Sequence, residues 1–342
     1  MSNNSTVIPT VSYPADLIIF YTIYFIEGIF QLGGNAIILL AIFCNKPLHR
    51  KEYCLPGGLA LADWLWGFGS FTAAIRRLAL ITSGSLFRLV TKWDCVTSVP
   101  LWGFLFGAHT VPAMLLMISI DRCIACVSIK TYSRLTTQRI MIANVAVFVV
   151  GVGFAGVTFV TTYMAPRVAM VPNLCVIGWA MTAPVESASL LYQGISGLAS
   201  VVIYFGALGS LYVKRDDSNL SEVMKVNKER QLKVTKTLSV VIICTFFLYT
   251  VPFVSMVVMK GRMSRSSYGT LSSISGVLIN ANSANNLFIY FTKNGEMRKS
   301  IIRLLRMDNI MARMKSKKSS TGTSVSAVKT TKSQNAVASL HN

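Results

Sequence analysis

A helix needs about 20 mostly apolar residues to cross the hydrocarbon layer of a bilayer. This chain has seven such stretches, near residues 17–44, 55–81, 96–127, 140–164, 189–213, 236–259 and 267–292. Open strands cannot cross lipid, because their edge amides and carbonyls find no partner there, so each stretch is expected to be helical. The fold class that follows is all-α, a seven-transmembrane helix bundle over 17–292. The second and seventh stretches are the least apolar.

The basic residues orient the bundle. With the N-terminus outside, the inner loops hold Lys46, Arg50, Lys51, Lys130, Arg134 and Arg139. The third inner loop adds Lys214, Arg215, Lys225, Lys228, Arg230 and Lys233, and the tail is basic. The outer side holds fewer: Arg76, Arg77, Arg88, Lys92, Arg167, Lys260, Arg262 and Arg265. Lysine and arginine accumulate on the cytoplasmic side, so the bias predicts N-out and C-in. The polar segment 1–16 shows no cleavable signal pattern, and the first span is expected to act as its own insertion signal. Asn3 and Asn4 each open an N-x-Ser/Thr sequon, which predicts glycosylation of that outer segment. Cys95 and Cys175 both fall on the oxidising outer side, where a disulfide is expected, with two free thiols as the alternative. The remaining cysteines lack metal-ligand spacing and read as packing residues.

Composition narrows the function. Only 13% of residues are charged, against roughly 25% in a soluble domain. The net charge of +20 sits in loops and tail, so it argues against a nucleic-acid partner. His49, His109 and His341 are too scattered for a catalytic or metal cluster, and no cofactor is implied. Residues 293–307 set Met297, Ile301, Leu304 and Leu305 on one stripe among basic residues, an amphipathic helix for the inner membrane surface. Residues 308–342 are rich in Ser, Thr and Lys and are expected to be a disordered, phosphorylatable cytoplasmic tail. A multi-span transporter or channel is the competing reading, although no internal repeat supports it.

Particular residues sharpen the picture. The third span ends in Asp121-Arg122-Cys123, a charged pair that is costly at a membrane edge without a role. Asp63 lies well inside the second span. Gly34-Asn35, Asp63, Asp121-Arg122, Pro252 and Asn286-Leu287-Phe288-Ile289-Tyr290 together resemble the motifs of rhodopsin-like G-protein-coupled receptors over about 17–306. The phrases Ile118-Ser119-Ile120-Asp121-Arg122 and Phe288-Ile289-Tyr290-Phe291 are similar to those of the divergent nematode Srsx chemoreceptors. Departures include Cys123 for Tyr, Leu287 for Pro, and Thr250 where the sixth-span Trp usually stands.

The resemblance implies roles. Asp121, Arg122, Asn286, Tyr290 and Pro252 would form the switch that couples to a heterotrimeric G protein. Leu232 stands where an acid often completes the resting lock, and Glu229 is a weak substitute. Asn35, Asp63, Asn282, Ser283 and Asn286 would form a polar relay or sodium pocket, with Val111 replacing the usual third-span hydroxyl. Phe104, Ala108, Tyr249, Phe253 and Asn280 are candidate ligand-pocket residues. Phe104 replaces the amine receptors' Asp, and Asn280 replaces the opsins' retinal lysine. His109 is expected to make an interhelical hydrogen bond, with the reading of a ligand or of pH as the alternative. The basic outer mouth, Arg76 and Arg77 included, suggests a preference for anionic ligands. The implied partners are an extracellular ligand, a G protein, the bilayer, and kinases and arrestin at the tail. The implied location is the plasma membrane of a sensory neuron. A non-signalling receptor-like protein is the alternative within the same fold.

Overall fold

The computed structural model describes residues 14–168, 170–213 and 222–305. Asn3, Asn4, Lys214, Arg215 and the tail 308–342 lie outside the described residues. Among the described residues, seven long helices form an antiparallel bundle: α1 Pro14–Cys44, α2 Lys51–Thr82, α3 Val99–Val127, α4 Thr137–Met164, α5 Ala183–Val213, α6 and α7. Helix α6 runs as Glu222–Thr245, one π-helical turn Phe246–Thr250, and Val251–Met259. Pro252 has no N–H to give the Leu248 carbonyl, and wide turns gather where the helical ladder is broken in this way. Helix α7 runs Arg265–Ala284 and Asn286–Lys293, interrupted at Asn285. The interruption forms although Leu287 replaces the usual proline. Gly34 of α1 makes room there, since a Cβ on it would lie 3.3 Å from the Leu287 Cβ.

α1, α3, α4, α5 and the Thr237–Met259 part of α6 are each long and apolar enough to cross a membrane by composition alone. α2 and α7 fall short of that mark. α2 carries Asp63, Arg76 and Arg77, while α7 carries Ser272, Ser273, Ser275, Asn280, Asn282 and Ser283. Their polar residues turn inward, where Trp66 of α2 bonds Asn280 of α7. The outward faces are apolar, as on α4 with Ile142, Val145, Val149 and Val152 all exposed. Apolar faces of this extent are stable only against lipid or another protein.

The core lies in two parts. The larger fills the inner half and joins Ile38, Leu59, Met114, Ile118, Leu238 and Tyr290. The smaller sits at the outer end around Cys95, Val96, Leu101, Leu105, Cys175 and Met181. Cys95 and Cys175 form the disulfide. A short helix, Lys92–Val96, leads into α3 and is capped by Thr91. The Thr91 hydroxyl and then its backbone N–H bond the Asp94 carboxyl and hold it below the usual carboxylate range. Strand β1, Leu89–Val90, pairs antiparallel with β2, Val171–Pro172, in the second outer loop.

A last helix, α8 Gly295–Leu304, follows α7. Its Met297 and Ile301 are buried in the same inner core as Ile38, Ala41 and Leu48, so this stripe docks on the bundle. Leu305 lies past the helix end and is exposed, which shortens the expected apolar stripe.

Candidate functional site

Arg122 is 1% exposed at the inner end of α3, and Asp121 is 8% exposed. A buried guanidinium is tolerable only when its charge and its N–H groups are met. Asp121 Oδ2 accepts from Arg122 Nε at 2.9 Å and from Nη2. Arg122 Nη2 also donates to the Tyr132 hydroxyl at 3.0 Å. Tyr132 belongs to the short second-loop helix Ile129–Arg134 and is itself buried. Burial pushes its phenol up, so it stays neutral and serves as an acceptor. Lys51 clamps the same loop, donating to the Tyr132 and Leu135 carbonyls at 2.7 and 3.2 Å and lying 4.2 Å from the Tyr132 ring. Tyr132 was not marked by sequence reasoning, because the contact depends on how a loop helix folds back. Its one prior signal is an aromatic hydroxyl ten residues after Arg122, in the loop that faces that span.

Replacing Tyr132 by Phe removes one hydrogen bond to a charged group, about 1.5 kcal/mol. For the switch that the resemblance implies, that is roughly tenfold in the balance between resting and released Arg122. Basal nucleotide exchange at matched surface expression is expected to rise accordingly. Unchanged exchange would mean that Tyr132 only packs.

One layer further out, Asp63 is 1% exposed and accepts from Asn286 Nδ2 at 2.6 Å. Asn282 and Ser283 line the same small cavity as Asp63, which has room for about one water molecule. Asn282 Oδ1 accepts from Thr245 of α6 at 3.2 Å. The Asn35 amide nitrogen donates to the Gln31 carbonyl of its own helix at 2.9 Å. Val111 lines the cavity wall and offers no oxygen. The set therefore suits a hydrated relay better than a metal ion, which needs a shell of oxygens. Tyr290 is buried in the inner core, and its hydroxyl has no hydrogen-bond partner among the described residues.

Four of the expected ligand-pocket residues gather around Trp66. Phe104 meets the Trp66 ring edge-on at 4.9 Å. Asn280 Oδ1 accepts from Trp66 Nε1 at 2.8 Å and from Ser70 Oγ at 3.1 Å. Ala108, Tyr249 and Trp66 line the same water-sized cavity as Asp63. Phe104, Asn280 and Phe253 stay outside the cavity lining, and Phe253 stacks on Tyr249 at 5.9 Å. Trp66, Ser70 and Gln31 were missed by sequence reasoning, since each reads as an ordinary span residue until α7 is placed beside it.

His109 is fully buried. Its Nδ1 is 2.8 Å from the Leu105 carbonyl and its Nε2 is 2.9 Å from Ser189 Oγ. A carbonyl only accepts, so Nδ1 carries the proton, and in the neutral ring Nε2 accepts from Ser189. The expected interhelical bond is what forms. Arg76 and Arg77, expected at the basic outer mouth, are held there by uncharged acceptors. Arg76 Nη2 donates to Asn173 Oδ1 at 2.5 Å, and Arg77 Nε donates to the Leu174 carbonyl at 3.2 Å. Both pin the second outer loop beside Cys175.

Comparison with known proteins agrees with this geometry. The family described as Serpentine type 7TM GPCR chemoreceptor Srsx matches residues 28–305. Melanocortin receptor 4 of Danio rerio is 25% identical over 292 residues, covering 83% of each chain. Lysophosphatidic acid receptor 2 of Macaca fascicularis is 24% identical over 293 residues, covering 81% of this chain and 77% of the relative. The human lysophosphatidic acid receptor 2 shows the same identity and coverage. A receptor thus replaces the transporter or channel alternative, and the chain is no enzyme. The buried Asp–Arg pair, the Asp63–Asn286 contact and the family match over most of the length lead to one conclusion: the chain belongs to the Srsx family of serpentine seven-transmembrane G-protein-coupled chemoreceptors.

Proposed function

We propose that this receptor binds a small extracellular ligand against the Trp66–Phe104–Asn280 wall and activates a heterotrimeric G protein through Arg122. The observation that carries the reading is the Arg122 guanidinium, buried yet fully harnessed by Asp121 and Tyr132 at the inner mouth. Such a charge is costly to keep buried unless its release is useful. The proposed sequence of events has three steps. Ligand contact shifts Trp66 and Asn280. The Asp63–Asn286 layer and the π turn before Pro252 pass the shift to α6 and α7. Arg122 then leaves Asp121, and its side chain meets the G protein. Asn282, Ser283 and Tyr290 supply the polar, hydrated path between the layers.

The relatives' names point to two different ligands, melanocortin and lysophosphatidic acid, at nearly equal identity. The ligand class must therefore come from this chain's own residues. The location that fits is the plasma membrane of a sensory neuron, with Asn3 and Asn4 glycosylated outside and kinases and arrestin acting on the tail. Ligand-independent nucleotide exchange in membranes that hold wild type or Arg122→Ala tests the coupling. Arg122→Ala is expected to drop to the level of membranes without receptor while reaching the surface normally. Equal exchange by the two proteins would overturn the reading and favour a non-signalling protein.

A further inference from the structure

Glu27 is a carboxylate within the bundle that the coupling path leaves unused. It stands on the inward stripe of α1 with Tyr24, Gln31 and Asn35, at helical spacing. It makes no ion pair among the described residues. Three helices meet at this point. Gln31 Nε2 is taken by the Asn280 carbonyl of α7 at 2.7 Å, which leaves its Oε1. That oxygen abuts Gly67 of α2, where a Cβ would lie 3.1 Å away. Asn280 Oδ1 is taken by Trp66 and Ser70, which leaves its Nδ2. The Asn280 amide faces the Glu27 carboxyl. Yet Glu27 Oε2, Gln31 Oε1 and Asn280 Nδ2 all lack a hydrogen-bond partner among the described residues. Gln31 is 0% exposed and Asn280 1%. Native chains rarely bury polar atoms in this way without a partner.

The chemistry of the set is specific. Two acceptors, one of them a carboxylate, suit a group with several N–H donors and a positive charge. The neighbouring amide donor suits an oxygen carried by the same molecule. Trp66 joins the set to the aromatic wall, because its ring lines the cavity while its N–H holds Asn280. The third helix offers Phe104 rather than a counter-ion, and the carboxylate comes from α1 instead. We propose that Glu27 and Gln31, with Asn280 beside them, form a cation subsite between α1, α2 and α7. It takes the protonated amine of an organic ligand or a free monovalent cation.

The inference rests on the receptor reading only in calling an organic occupant a ligand. Its test uses no G protein, so the two readings fail separately. Thermal unfolding of the full-length purified receptor is followed with phenylethylamine, with neutral phenylethanol, and with sodium chloride. The proteins are wild type, Glu27→Gln, Gln31→Leu and Asp63→Asn. Phenylethylamine is expected to raise the Tm of wild type and Asp63→Asn by about 2–4 °C. It should leave Glu27→Gln unmoved and shift Gln31→Leu less, and phenylethanol should move none of them. A sodium shift with the same dependence on Glu27 assigns the subsite to the free cation. Without any added probe, Glu27→Gln should unfold at or above the wild-type temperature, since it removes a carboxylate that has no ion-pair partner among the described residues. A Glu27→Gln variant less stable than wild type would overturn the proposal. So would shifts that are equal in both proteins, absent from both, or lost only in Asp63→Asn.

Discussion

Replacing Gly103 by leucine is expected to remove the folded receptor from the cell surface. A Cβ at Gly103 would stand 2.5 Å from the Gly69 backbone nitrogen, 2.7 Å from the Gly69 Cα and 2.7 Å from the Leu65 carbonyl oxygen. All three are backbone atoms of α2, so no side-chain rotation relieves the clash. One turn later Gly107 meets Trp66, with a Cβ 2.7 Å from the Trp66 Cβ. Gly103 and Gly107 thus form the small-xxx-small spacing that lets membrane helices approach closely. Overpacking costs about 1–3 kcal/mol even where side chains can yield. Four added carbons against fixed backbone put this substitution in the exceptional class above about 4 kcal/mol. Helices α2 and α3 would have to part, which also moves Trp66, Phe104 and the bond to Asn280. Surface display of an epitope-tagged receptor should fall to less than about a tenth of wild type. Gly33→Leu is the matched control, since Gly33 is exposed on α1 with open space around its Cβ position. Normal display of Gly103→Leu would show that the two helices do not pack this closely.

The second large effect is expected from the outer disulfide. Cys95 and Cys175 are separated by 80 residues, and both are buried in the outer core. Closing a loop of that length restricts the unfolded chain by roughly 4.5 kcal/mol in the chain-entropy account. That figure is an upper bound here, because helices already inserted in the bilayer limit the unfolded chain. The bond also fixes the loop whose Asn173 and Leu174 hold Arg76 and Arg77. Cys95→Ser and Cys175→Ser should each cut surface display at least about fivefold, and the double variant should be no worse than either single one. Coupled partners behave in this way, whereas independent losses would add. Additive losses, or harmless single variants, would contradict the account.

Much of this architecture was legible before any coordinates. Long apolar runs can satisfy their backbone in lipid only as helices, so the bundle followed from hydropathy. α2 and α7 were harder, because Asp63, Asn280 and Asn282 dilute the apolar signal while marking the inward face. Asp63 and Asn286 were expected together and are bonded. Asn35 was expected beside them, and its amide nitrogen bonds the Gln31 carbonyl of its own helix. A short amide can close locally or reach across, and sequence does not reveal which. Tyr132 was invisible for a related reason. Its contact with Arg122 depends on a six-residue loop helix that folds back beneath α3. The glycines of α3 were also silent, since their meaning lies in what a Cβ would strike. The apolar stripe of α8 was legible as a stripe, but its docking on the bundle needed the packed structure.

In the proposed mechanism Asp121 holds Arg122 at rest, and Arg122 acts on a G protein when released. The most direct measurement is basal nucleotide exchange by wild type, Asp121→Asn, Arg122→Ala and the double variant, at matched surface expression. Asp121→Asn removes the charge that accepts from Nε and Nη2. Hydrogen bonds to a charged group are worth about 1.5–3 kcal/mol, so exchange should rise roughly tenfold or more. Arg122→Ala should be silent, and the double variant should be as silent as Arg122→Ala, because the released group is then absent. A double variant that keeps the raised activity of Asp121→Asn would contradict the account, since coupling would then not pass through Arg122.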